Sequence, residues 1–113
     1  MISLELAKQL KDAGLKWDPG QGDWFEVIWE GGGSETWNTC DRLPNFDNPD
    51  ETNVWYPGII EILQAISAAG WSHDLRGGWT DISRDIYQTW RFPGEPEESA
   101  ARALLHILKE GER

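Results

Sequence analysis

Three stretches of helical periodicity, each followed by a glycine, set the frame into which the rest of this chain must fold. In the first, Ser3 is a good N-cap and Glu5 puts negative charge in the first turn. Ile2, Leu6, Leu10 and Ala13 recur at helical spacing, and Gly14 follows as a stop. This predicts helix over 3–13. The second, "PGIIEILQAISAAG", opens on Pro57 as an N1 proline and carries an apolar stripe of Ile59, Ile62, Leu63, Ile66 and Ala69 before Gly70. The third starts at Pro96, has glutamates in its first turn, aligns Ala101, Leu104, Leu105 and Leu108, and stops at Gly111.

The segments between have strand character. "DWFEVIWE" is aromatic and β-branched, "GGG" is a turn, and "SETWNTC" is a return strand, so the pair predicts a hairpin. Asp41 to Asn53 is rich in turn formers and acids and reads as a loop, with "VWY" a short strand after it. "WSHDLRGGWTDIS" reads as strand, Gly-Gly turn, strand, and "DIYQTWRF" as another strand broken by Pro93. The expected fold is a single α+β domain over 1–113. It has an antiparallel sheet of four to five strands, three helices mainly on one face, and the order α-β-β-α-β-β-α.

A weak internal echo runs through this order. At an offset of 56 residues, Glu5 meets Glu61, Leu6 and Leu10 meet Ile62 and Ile66, Ala13-Gly14 meets Ala69-Gly70, and Gly22 meets Gly78. Two readings stand: a duplicated helix-plus-hairpin unit, and the common use of glycine wherever a helix ends.

Composition excludes several functions. Twenty acids against ten bases give a net charge of −10, which disfavours a nucleic-acid backbone or an anionic membrane as partner and permits a basic protein surface. Acidity also serves solubility alone. One cysteine, Cys40, permits no intrachain disulfide. No apolar run approaches a membrane span, and the N-terminus lacks signal-peptide character, so the expected location is the cytoplasm.

No arrangement of residues announces catalysis. His73 and Asp74 are neighbours on a predicted strand and point to opposite faces. Cys40 with His73 has nothing to fix its geometry. His106 lies on a helix face. "DNPDETN" offers oxygen ligands without the spacing of a calcium loop, and "GGG" and "RGG" lack the ending of a phosphate loop. The expectation is a non-enzyme with no metal and no cofactor.

The eight tryptophans are the stronger signal. In "WFEVIW", Trp24 and Ile28 share one parity and Phe25, Val27 and Trp29 the other, so both faces of this strand are partly apolar. A sheet covered on one face needs only one apolar face. The second implies a partner, a ligand groove or a closed curve, beside the plainer reading of a tryptophan-filled core. Trp17 and Trp24 read as parts of the helix-to-strand junction, and Trp37, beside the acidic loop, as a contact residue.

"SLELAKQLKDAGLKWDPGQGDWF", the "VWYP" segment and "EESAARALLHIL" together resemble a family of small uncharacterised proteins of bacteria, prophages and phages. The resemblance implies an accessory protein, with counter-defence among the roles such proteins take, and carries no catalytic residues. The first functional expectation is therefore a host protein bound through an acidic, Trp-containing surface of Trp37, Trp55, Asp47, Asp50 and Glu51. The second is sequestration of a small molecule, a nucleotide signal or a sugar, in a pocket where Trp71 and Trp79 stack and Arg76 meets phosphate. The third is self-association through unpaired sheet edges, a homodimer being the simplest case.

Overall fold

The computed structural model describes residues 1–20 and 22–111. Helix α1 spans Leu4–Asp12, and the Ser3 hydroxyl caps it by accepting from the Leu6 amide at 3.2 Å. Strands β1 (Trp24–Trp29), β2 (Ser34–Asn38) and β3 (Glu51–Tyr56) follow, then α2 (Ile59–Ala68). Strands β4 (Ser72–Leu75), β5 (Trp79–Asp85) and β6 (Gln88–Pro93) lead to α3 (Pro96–Gly111). Gly58, rather than a residue before Pro57, is the N-cap of α2.

The order is thus α-β-β-β-α-β-β-β-α. The fold is α+β, but the single sheet of four to five strands is replaced by two three-stranded antiparallel sheets, β2-β1-β3 and β4-β5-β6. Two strands account for the difference. β3 begins at Glu51, inside the segment expected to be loop, and occupies the second edge of β1, from Trp24 opposite Tyr56 to Trp29 opposite Glu51. "DIYQTWRF" is no single strand: β5 runs to Asp85, Ile86 and Tyr87 make a turn, and β6 returns from Gln88.

Helices join the two sheets instead of lying on one side of one sheet. α1 packs on β3 and α3, while α3 packs on β5, β6 and α2. Leu6 and Leu10 of α1, Ile62 and Ile66 of α2, and Leu104 and Ile107 of α3 meet Val54 and Tyr56 of the first sheet and Ile82 of the second. Ala100, Ala101 and Ala103 of α3 are fully buried, and their small side chains let neighbouring elements approach closely. A buried bond of 2.7 Å between the hydroxyls of Thr80 and Ser99 pins β5 to α3.

The internal echo is realised in part. The Gly14 amide donates to Lys11 O and the Leu15 amide to Leu10 O; at the offset of 56, Gly70 donates to Ser67 O and Trp71 to Ile66 O. Both are Schellman stops with glycine at C′, at φ +102° and +90°. β1 shifted by 56 covers 80–85, which lies inside β5 (24 + 56 = 80; 29 + 56 = 85). The third strand breaks the correspondence: it follows the hairpin in the first half, as β3, and precedes it in the second, as β4.

A Cβ added at Gly14 or Gly70 meets nothing within 4 Å, so substitution there costs backbone strain alone. Gly14→Ala and Gly70→Ala are each expected to lower stability by about 1–2 kcal/mol in urea unfolding. Gly77→Ala, at a glycine without positive φ and with open space around it, should change little.

Candidate functional site

Register places Glu26, Val54 and Tyr56 on the face of the first sheet that meets the helices. Glu26 is 6% exposed and accepts from the Tyr56 hydroxyl at 3.0 Å and from the Thr36 hydroxyl. Burial alone would raise the Glu26 carboxyl, but the hydroxyls of Thr36, Ser34 and Tyr56 and the charge of Lys8 hold it below the ordinary range. Burial, and then the Glu26 carboxylate, push the Tyr56 phenol up to about 12.

The opposite face carries Phe25 and Val27, both fully buried, with Asn53 and Trp55 across on β3 and Glu35 and Trp37 across on β2. Two segments of the chain cover it. The first is the coil after α1, which lays Trp17 parallel to Trp55 (centroids 6.1 Å apart, planes 8° apart) and 5.4 Å from Phe25. Asp23 fixes this indole by accepting from Trp17 Nε1 at 3.0 Å and from the Gly20 amide at 2.8 Å.

The second cover is the acidic loop. Arg42 grips Glu51 with a two-pronged pair (Nη1 to Oε1 3.0 Å, Nη2 to Oε2 2.9 Å), and the Asn45 amide adds a bond of 3.2 Å. The Arg42 guanidinium lies 5.7 Å from the Trp29 ring centroid. Its hydrogen bonds lead in holding the Glu51 carboxyl below the usual range, against burial. So folded, the loop brings Phe46 edge-on to Trp17 at 5.7 Å.

The cover is incomplete. A cavity of about 300 Å³ remains between α1, β3 and the loop, lined by Trp17, Trp55, Phe46, Lys11, Glu51 and Asn53, with Ala7, Leu15 and Thr52. Lys11 Nζ donates to the Asn53 carbonyl at 2.9 Å, which also caps the outer edge of β3. A second cavity of about 340 Å³, beside Trp24, Tyr56 and Glu97, is slightly larger. Its phenol is already committed to Glu26, so the first cavity has the richer recognition chemistry.

The residues expected to bind disperse. Trp55 lines the cavity, but Glu51 is part of its wall, its oxygens taken by Arg42 and Asn45. Trp37 is half-buried and donates to Glu35 at 3.0 Å, while Asp47 and Asp50 are exposed on the loop. Trp71 is 3% exposed, in the core under the Arg84 guanidinium at 4.7 Å. Trp79 lies half-buried on the outer face of β5 beneath Arg91 at 4.6 Å, and Arg76 is bound to Asp74. These three form no pocket together, because the core takes the Trp71 ring, Arg91 lies over Trp79, and Asp74 holds Arg76.

Lys11, Phe46, Asn53 and Trp17 are the cavity residues that sequence reasoning missed or read as architecture. Alternation in "ETNVWY" puts Glu51, Asn53 and Trp55 on one face once it is taken as a strand; nothing local marks Lys11 or Phe46. Among the described residues no group of three or more His, Cys, Asp or Glu side chains gathers as a metal ion would need, and no helix is long and apolar enough to cross a membrane. No family model, curated protein or solved structure matches the chain.

Arg42→Met strands a carboxylate whose side chain is 1% exposed and should cost about 2 kcal/mol, less than a fully buried pair because Arg42 itself is 26% exposed. The depressed folded pKa of Glu51 fixes the sign with pH. The pair's contribution is present above the unfolded carboxylate value, about 4.3, and is lost as pH falls through the lower folded value. Urea unfolding in a descending pH series should show Glu51→Gln losing stability less steeply than the parent.

Proposed function

We propose that the protein binds a small planar ligand in the cavity between α1 and the loop-covered face of the first sheet, and acts by holding it. The observation that supports this is an aromatic wall, Trp17, Trp55 and Phe46, beside the ammonium of Lys11 in one concave space. About 300 Å³ is the lower end of the range for small-ligand sites, which pair apolar walls with a few polar groups. Glu51, the carboxylate in the wall, is committed to Arg42 and so is poorly placed to serve as a general base. Binding without turnover fits an accessory protein of the phage and prophage kind that works in the cytoplasm by sequestration, now at Trp17 and Trp55 rather than Trp71 and Trp79.

Tryptophan fluorescence and thermal melting with a panel of nucleosides, sugars and simple aromatic alcohols test this. At least one flat-ring compound should change emission and raise the melting temperature, and Trp55→Ala should abolish both responses. A panel that moves neither quantity rejects the reading.

A protein partner is a second reading, favoured by the tip of the β5–β6 hairpin. Ile86 and Tyr87 are 85% and 88% exposed there. Asp85 Oδ1 holds the turn by accepting from the amides of Tyr87 and Gln88 at 2.7 and 2.9 Å. Asp47 and Asp50 are exposed too, on the loop before β3, and carry the acidic charge that a basic host protein would meet there. Capture from host lysate should then weaken with salt and fail in an Ile86→Ser, Tyr87→Ser double variant; capture unaffected by both rejects this reading.

A further inference from the structure

Six buried side-chain polar atoms have no hydrogen-bond partner among the described residues: Asn53 Oδ1, Trp55 Nε1, Trp71 Nε1, Trp79 Nε1, His106 Nε2 and Glu110 Oε2. Native proteins keep few such groups, and each has a reason. His106 Nε2 and Glu110 Oε2 face one another at 3.9 Å. Trp71 and Trp79 are held through their ring faces by Arg84 and Arg91. The remaining two, on Asn53 and Trp55, belong together. They lie two residues apart on β3, project from the same face, and both residues line the cavity. Asn53 is 5% exposed. Its amide also helps, after Arg42, to stabilise the Glu51 carboxylate, which assigns Nδ2 to Glu51 and leaves Oδ1 as the unused acceptor.

Resting on the cavity as the ligand site, we propose that its ligand is a nucleobase-type heterocycle, a flat ring with an N–H donor beside an acceptor. The ligand donates to Asn53 Oδ1 and accepts from Trp55 Nε1–H, which satisfies both atoms at once. A ring coplanar with the Trp55 indole at its N–H edge is also parallel to Trp17, whose plane is 8° away, so the hydrogen bonds and stacking against Trp17 call for the same ring orientation. Lys11 spends one of its three donors on the Asn53 carbonyl and offers the others to a second acceptor, an exocyclic carbonyl or a phosphate. Both orphaned atoms are shielded from water, so the ligand reaches them as the walls yield. The loop that carries Phe46 is held by the Arg42–Glu51 pair and a few turn bonds rather than by a strand ladder.

Calorimetric titration of the protein with uridine, cytidine, adenosine, guanosine and benzyl alcohol tests the assignment. One nucleoside should bind about tenfold or more tighter than benzyl alcohol, and its derivative methylated at the donor nitrogen should lose about tenfold. Trp55→Phe and Asn53→Leu should each weaken that nucleoside similarly while keeping benzyl alcohol within about twofold. Trp55→Phe removes only an unpaired buried atom and should leave the melting temperature nearly unchanged, whereas Asn53→Leu also removes the donor to Glu51 and should lower it. The methylated nucleoside needs no variant, so the test stands even where a variant folds poorly. If nucleosides and benzyl alcohol bind alike, or the methylated form binds as well as its parent, the nucleobase assignment is overturned and the planar-ligand reading survives. If nothing on the wider panel binds, both fall.

Discussion

The ion pair of Arg42 with Glu51 ties the acidic loop to β3 and to the Trp29 ring. Glu51 opens β3, so the residue that starts the third strand of the first sheet also anchors the loop that precedes it. A carboxylate so nearly sealed from water is tolerable only with its charge compensated and its oxygens bonded, and Arg42 and the Asn45 amide do both. With the loop drawn down, Phe25 and Val27 are sealed on the face away from the helix-packed core, at whose edge α1 contributes Ala7 and Lys11. The chain thereby supplies its own cover for the second apolar face of the sheet, and the cavity is the gap that cover leaves.

The distribution of charge follows the same logic. Several cations of this acidic chain are engaged internally: Arg42 with Glu51, Arg76 with Asp74 and Arg91 with Asp81. Arg42, Arg84 and Arg91 also lie over the rings of Trp29, Trp71 and Trp79. Five of the eight tryptophans have three uses: core in Trp71, arginine platforms on strands in Trp29 and Trp79, and a stacked pair at the cavity in Trp17 and Trp55. The exposed pairs add little stability, but they keep aromatic faces covered on a surface that would otherwise be sticky.

The helices were legible because capping and glycine stops are local: Ser3, Gly14 and Gly70 do in the structure what their neighbours in sequence imply. The first hairpin was legible for the same reason. β3 was hidden because Glu51 and Asn53 are poor strand formers at the end of a run of turn residues. Their burial comes from Arg42, nine residues away, and from Lys11, forty-two residues away. The division into two sheets was unreadable too, since it depends on helices packing between strands that local pattern leaves free to join. Two apolar faces on β1 signalled a partner, a ligand groove or a closed curve; the chain's own coil and loop, which were not foreseen as a cover, lie over the second face.

Protection of the indole N–H groups tests the central claim, that the Arg42–Glu51 clasp roofs this face. Hydrogen exchange read by NMR at Trp17 and Trp55, with Trp71 as the core reference, should show slow exchange in the parent. In Arg42→Met, exchange should be much faster at Trp17 and Trp55 and unchanged at Trp71. Equal protection of Trp17 and Trp55 in parent and variant would contradict the account, because the face would then be closed by something other than the clasp.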